Sequence, residues 1–252
     1  MAQQDNIQHW KIARTATVVT LRSLMDYTKQ EGISRIFCDI PDIGKTVSAE
    51  LHCKAHKDSW YVDCSQNKFR RDFILALCRA AGVDEGGTFQ EQYRDLVDHI
   101  IRTKRAGGQP QFILDEFGDL DHKAFMELKA LWNAVNGHED GRQCSFFMMA
   151  ADGAEKRFTK LRGSNKLGYG EIYRRFGSNI LRISPLCYEE RAIFIRAHAQ
   201  AVAQVNAPEM NFEDLMKATP METKKDGTKV HHSLDRLRDN IIKGRKEKQK
   251  AS

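Results

Sequence analysis

Asp39-Ile40-Pro41-Asp42-Ile43-Gly44-Lys45-Thr46 is the stretch on which the reading of this sequence turns. A short apolar run, Arg35-Ile36-Phe37-Cys38, precedes it, and residues 47–56 read as a helix. Strand, tight loop ending in Gly-Lys-Thr, then helix is the context of a phosphate-binding loop. Backbone N–H groups at a helix N-terminus point at an anion, and the helix dipole favours it. The expected binding stretch is Asp42, Ile43, Gly44, Lys45, Thr46 and Val47, with Lys45 on the β- and γ-phosphates and the Thr46 hydroxyl on Mg²⁺. The pattern G-x-x-x-x-G-K-[ST] asks for glycine where this chain has Asp39, and Asp42 fills another position that is often glycine. Aspartate tolerates left-handed backbone better than most residues, so the loop can still form. Its two carboxylates repel a triphosphate unless they point away or meet Mg²⁺.

Further polar groups stand where strands end. Phe112-Ile113-Leu114 runs into Asp115-Glu116. The first acid, beside the loop, is expected to hold Mg²⁺ and the second to polarise an attacking water. The apolar strand 145–151 runs into Asp152, which is positioned either to orient that water or simply to turn the chain. Arg174-Arg175-Phe176 precedes a fifth strand at 179–183. An arginine there reaches a neighbouring subunit's nucleotide more easily than its own; Arg175 is the first choice and Arg174 the alternative. Near the last helix, Arg236, or Arg238 beside it, is a candidate phosphate sensor.

Strands alternate with helices, and each strand is continuously apolar, which predicts a parallel sheet covered on both faces. The expected fold is an α/β phosphate-loop domain with a five-stranded parallel sheet over residues 1–184. A small helical lid with a basic tail follows at 185–252. The helices are read at 13–30, 69–81, 89–104, 121–137, 153–161, 171–176, 188–205 and 233–243.

At 252 residues, with 41% apolar and 29% charged, the chain can bury a sizeable core. No apolar run approaches a membrane span, and the polar start has no signal-peptide profile, so a cytoplasmic protein without a membrane partner is expected. Six cysteines without C-x-x-C pairs read as free thiols rather than zinc ligands or disulfides. The net charge is +6, and residues 241–252 hold five basic residues against Glu247 alone, which permits contact with nucleic acid.

Gly44-Lys45-Thr46, Asp115-Glu116, Asp152, Arg175 and Arg236, in that order, resemble an AAA+ ATPase. Within that superfamily the chain is most similar to transposition ATPases of the phage Mu B and TnsC type. That likeness rests on Tyr61-Val62-Asp63-Cys64-Ser65 before a basic helix, on Asp115-Glu116-Phe117-Gly118-Asp119-Leu120, and on the helix with Leu128-Lys129-Ala130-Leu131-Trp132. The resemblance implies ATP and Mg²⁺ as cofactors. It implies a ring or helical filament on double-stranded DNA without sequence preference, recruitment of a DDE-type transposase, and release on hydrolysis. It also implies a prokaryotic, phage or mobile-element origin and association with the nucleoid. Two basic patches are candidates for the DNA-facing loops: Lys156, Arg157, Lys160, Arg162 and Lys166, and Lys68, Arg70 and Arg71. The alternatives are a helicase-loader or replication-initiator relative, and an ATP-gated scaffold with little hydrolysis. A winged-helix segment after the lid would favour an initiator, and a zinc-ligand cluster or a long N-terminal partner-binding domain a loader; none of these is expected from the sequence.

Overall fold

The computed structural model describes residues 10–137, 144–219, 221–223, 229–231 and 234–251. The chain divides into two compact units: residues 20–41 with 45–182, and residues 1–19, 42–44 and 183–252.

The first unit is built on the five-stranded sheet. Its strands are β1 (Arg35–Asp39), β2 (Ser59–Asp63), β3 (Gln111–Asp115), β4 (Ser145–Ala151) and β5 (Ile180–Leu181). The order is β2-β3-β4-β1-β5, and every pairing is parallel, as the continuously apolar strands require. Alternate residues fill opposite faces. Ile36, Cys38, Trp60, Val62, Phe112, Leu114, Phe146 and Met148 pack into one core. That core is closed by Phe73 and Leu77 of α3 (Arg70–Ala81), Leu96 of α4 (Phe89–Arg105) and Leu128 of α5 (His122–Asn136). Phe37, Ile113, Phe147 and Met149, which point to the other face, are equally buried. On that face Gln111 meets Met25 of α1 (Ala16–Gln30) and His52 of α2 (Lys45–Ala55).

Local chemistry sets the helix limits. The Thr88 hydroxyl accepts from the Glu91 N–H and Glu91 reaches back to Thr88, a capping box that starts α4. The Asp121 carboxylate accepts from the Ala124 N–H at 2.6 Å and starts α5. Gly82, at φ 70°, ends α3 in the left-handed conformation. The expected helix at 153–161 is longer, as α6 (Asp152–Gly163), and α7 (Tyr169–Arg175) starts two residues before the expected 171. The fifth strand is shorter than expected. It comprises Ile180 and Leu181, and Arg182 follows its two paired residues.

The second unit contains α8 (Tyr188–Asn206), α9 (Phe212–Ala218) and α10 (Leu234–Ala251). Beside these helices, β6 (Met221–Thr223) pairs antiparallel with β7 (Lys229–His231). The Asp226-Gly227 break falls outside the described residues. Ala199, Ala203, Leu215, Met216, Leu237 and Ile241 form the core of this unit, and Trp10 packs on it. Asn206 exchanges bonds with the Lys11 backbone at 2.9 Å in both directions, and the Thr17 hydroxyl meets His198 Nε2 at 2.7 Å. These bonds fasten residues 11–17 to α8. The basic tail continues α10 to Ala251, in keeping with its helix-forming Lys, Glu and Gln.

Candidate functional site

Parallel register brings three strand ends to one edge of the sheet: Asp39 pairs with Ala151, and Asp115 with Met149, two residues earlier on β4. The crevice outside the carboxyl ends of such strands is where α/β sheets bind ligands. From Asp39 the chain turns through a loop with Asp42 at φ 59° and Gly44 at φ 90°, and α2 begins at Lys45. Aspartate thus occupies left-handed backbone in this loop, at a modest conformational cost. The buried Lys45 ammonium donates to the Ile40 carbonyl at 2.7 Å and the Asp39 carbonyl at 3.3 Å. Burial lowers its pKa, against the raising influence of Glu116, Asp39, Asp115 and Asp152.

The Thr46 hydroxyl donates to Asp115 Oδ2 at 2.6 Å. The Tyr61 hydroxyl donates to the same oxygen at 3.0 Å, and the Glu116 N–H to Asp115 Oδ1 at 3.0 Å. Burial, and next the Asp115 charge, push the Tyr61 phenol up, so it stays a donor. A hydroxyl and a carboxylate this close are oxygen donors of the kind Mg²⁺ takes. The Lys45 ammonium, at the N-terminus of α2, is a cation of the kind that meets a phosphate. Glu116 sits at φ 50°, a strained conformation for a residue with a Cβ, immediately after the strand end. Burial first, and then Asp115, raise the Glu116 carboxyl above the ordinary carboxylate range. This carboxyl is therefore a better proton acceptor than an exposed glutamate.

The Asp39 carboxylate is turned to its own chain and to Arg182. It is fully buried, its Oδ1 accepts the Ile40 N–H at 2.8 Å, and it lies 3.7 Å from Arg182 Nη1. Arg182 also reaches Asp152 Oδ2 at 3.6 Å and Glu155 Oε2 at 2.9 Å. Asp152 is the first residue of α6, and its carboxylate is shared with this cation. Arg182 was missed by sequence reasoning. The available signal was a lone charge at the end of an apolar strand that pairs beside β1. Asp42 is exposed.

The remaining candidates lie apart. Arg175 is half-buried, with its guanidinium 5.1 Å from the Trp132 ring, whereas Arg174 is exposed. In the second unit, Arg236 is exposed, and Arg238 lies 5.5 Å from the Trp10 ring. In one basic patch, Lys68 pairs with Asp119 at 3.2 Å, Arg70 with Glu127 at 2.5 Å, and Arg71 is exposed. In the other, Arg157 donates to the Gly118 carbonyl at 2.6 Å and Arg162 stacks 3.9 Å from the Tyr173 ring, while Lys156, Lys160 and Lys166 are exposed. Among the described residues no helix is long and apolar enough to cross a membrane.

Residues 36–158 match the family model described as an AAA domain. A search of the curated proteins finds no match. Among solved structures, the chain is similar to the Orc2 protein of Aeropyrum pernix in its ADPNP–ADP complexes, with a TM-score of 0.59 and 14% identity over 93% of this chain and 63% of that one. It is also similar to Cdc6p of Pyrobaculum aerophilum, with a TM-score of 0.52 and 15% identity over 77% of this chain and 52% of that one. The chain thus spans less than two thirds of either protein, and identities this low speak for the fold alone. Residues 36–158 are thus similar to an AAA domain, and the solved structures share the fold of the chain.

Proposed function

We propose that the chain binds and hydrolyses ATP with Mg²⁺ and acts as a nucleotide-controlled assembly on duplex DNA. The observation that carries this is the joined set of Lys45, Thr46, Asp115 and Glu116 at the carboxyl ends of β1 and β3. Lys45 exchanges its loop carbonyls for the β- and γ-phosphates. Thr46 and Asp115 hold Mg²⁺, which neutralises phosphate charge. Glu116 accepts the proton of the attacking water, and Arg182 keeps Asp39 from opposing the triphosphate. Arg236 is the candidate phosphate sensor. For the arginine acting on a neighbouring subunit, the exposure of Arg174 makes it a stronger candidate than the ring-packed Arg175.

Of the biological roles, a replication-initiator or helicase-loader type has the better support, because the fold neighbours with TM-scores above 0.5 are Orc and Cdc6 proteins. The transposition-regulator role, with a DDE-type transposase as partner and a place on the nucleoid, keeps only the sequence features at 61–65, 115–120 and 128–132. For DNA, exposed Lys156, Lys160, Lys166 and Arg71 are the first candidates for phosphate contact. Lys68, Arg70, Arg157 and Arg162 already serve partners within the chain.

Binding to a random-sequence duplex, followed by fluorescence anisotropy, tests the DNA part. Affinity is expected to need ATP and to fall steeply with salt, with a slope of about −0.9 per phosphate neutralised. Changing Lys156, Lys160 and Lys166 together to Ala is expected to flatten that slope. A slope unmoved by the triple variant, or no binding with ATP at low salt, contradicts the assignment.

A further inference from the structure

Three donor atoms outside the phosphate loop converge on one point. Asp26 lies on α1 and His52 in the last turn of α2. His56 follows four residues later, its N–H bonded to the His52 carbonyl at 3.1 Å. Asp26 Oδ1 lies 3.1 Å from His52 Nδ1 and 2.9 Å from His56 Nε2, and the three donors are all within 4.8 Å of one another. Asp26 Oδ1 and His52 Nδ1 are buried with no hydrogen-bond partner.

The tautomer of His52 follows from its neighbours. The Gln111 amide touches the Met25 carbonyl at 2.9 Å, and a carbonyl only accepts, so that end of the amide is the NH₂. Gln111 Oε1 therefore faces His52 Nε2 at 2.7 Å, and Nε2 must carry the hydrogen. The neutral ring then has a bare lone pair at Nδ1, aimed at a carboxylate oxygen. Two acceptors this close need a proton or a cation between them. Burial lowers the His52 pKa, and His56 and Lys29 add to that, against Gln111 and Asp26.

We propose that Asp26, His52 and His56 form a site for a divalent transition-metal ion of the zinc class. Imidazole nitrogens and a carboxylate suit that ion, and donors about 2.0–2.1 Å from a tetrahedral centre lie about 3.3 Å apart, close to the spacing here. Water completes the coordination. Gln111, through its bond to Nε2, fixes the ring as an outer partner of a metal-ligating histidine does. The ion ties α1 to the end of α2 and, through Gln111, to the start of β3. It braces the far ends of the two elements that carry Lys45 and Asp115. The sequence signal was His52-x-x-x-His56, two rings on one helical face; the distant Asp26 completes it only in the fold.

The test is zinc titration of the chelator-treated chain by calorimetry and thermal unfolding. Mg²⁺ is present in excess to cover the phosphate loop, and Cys187→Ser removes the exposed thiol. One zinc per chain and a raised Tm are expected. His56→Ala and Asp26→Asn are each expected to weaken binding at least about tenfold while leaving the metal-free Tm in place. The isosteric Asp26→Asn keeps the test readable if His56→Ala folds poorly. Cobalt substitution is expected to give d–d bands without thiolate charge transfer. No one-to-one binding, equal binding by Asp26→Asn, or a thiolate band placing the ion on cysteine would each overturn the site.

Discussion

Replacing Arg182 with methionine is expected to destabilise the sheet unit by about 3–5 kcal/mol, the usual cost of stranding one partner of a buried ion pair. Asp39 is wholly buried, and Arg182 is only 16% exposed. Without the guanidinium, Asp39 keeps the Ile40 N–H and the nearby Lys45 charge but loses its Arg182 counter-charge, in surroundings where a carboxylate is poorly solvated. Asp152 and Glu155 also lose Arg182, yet both are partly exposed, so water compensates them. The loss is therefore specific to Asp39, and a second change should recover part of it. Asn at position 39 keeps the oxygen that accepts the Ile40 N–H and removes the charge. Urea unfolding of Arg182→Met, Asp39→Asn and the double variant closes a mutant cycle. The double variant is expected to be more stable than Arg182→Met alone. A loss below about 1 kcal/mol in Arg182→Met, or no recovery in the pair, would mean that the acid at 39 is satisfied in some other way.

The second large effect is on turnover. Glu116→Gln keeps the side-chain shape and the left-handed backbone, and removes the proton acceptor. Hydrolysis is expected to fall by about 10²–10⁴, the range of a general base, with ATP affinity within a few-fold of wild type. The wild-type pH profile supplies an independent sign. Glu116 must be ionised to take a proton, and its pKa is raised, chiefly by burial. Rate should therefore drop, as pH falls, at a value above that of an exposed glutamate, and the Gln variant should lack this limb. Near-normal hydrolysis in Glu116→Gln would remove Glu116 from the role of base.

Much of this was legible in the sequence because it is written locally. Ser145–Ala151 is apolar throughout and could only be a strand buried on both faces. Gly44-Lys45-Thr46 and Asp115-Glu116 carry their chemistry in adjacent residues, and the fold brings Thr46 to Asp115. What stayed hidden depends on residues far apart in the chain. Asp39 read as an acid that repels the phosphates unless it points away or meets Mg²⁺; its partner Arg182 directly follows β5, and only the β1–β5 pairing brings the two together. Arg175 and Arg174 look equivalent as letters, and the Trp132 ring separates them. The pair β6–β7 was missed because three-residue strands give no periodicity to count. His52 and His56 have helical metal spacing, but a two-residue signal without Asp26 is too common to read.

The central claim is that residues 39–46 form a working phosphate loop despite Asp39 and Asp42. Calorimetric titration of the wild-type chain and of Lys45→Ala with a non-hydrolysable ATP analogue, with and without Mg²⁺, tests it most directly. The expected result is one site per chain in the wild type, strengthened by Mg²⁺ and weakened by at least about 1.5–3 kcal/mol, roughly ten- to a hundredfold, when the charged partner of the phosphates is removed. Wild-type protein that ignores the nucleotide in Mg²⁺, or Lys45→Ala binding it equally well, would contradict the claim.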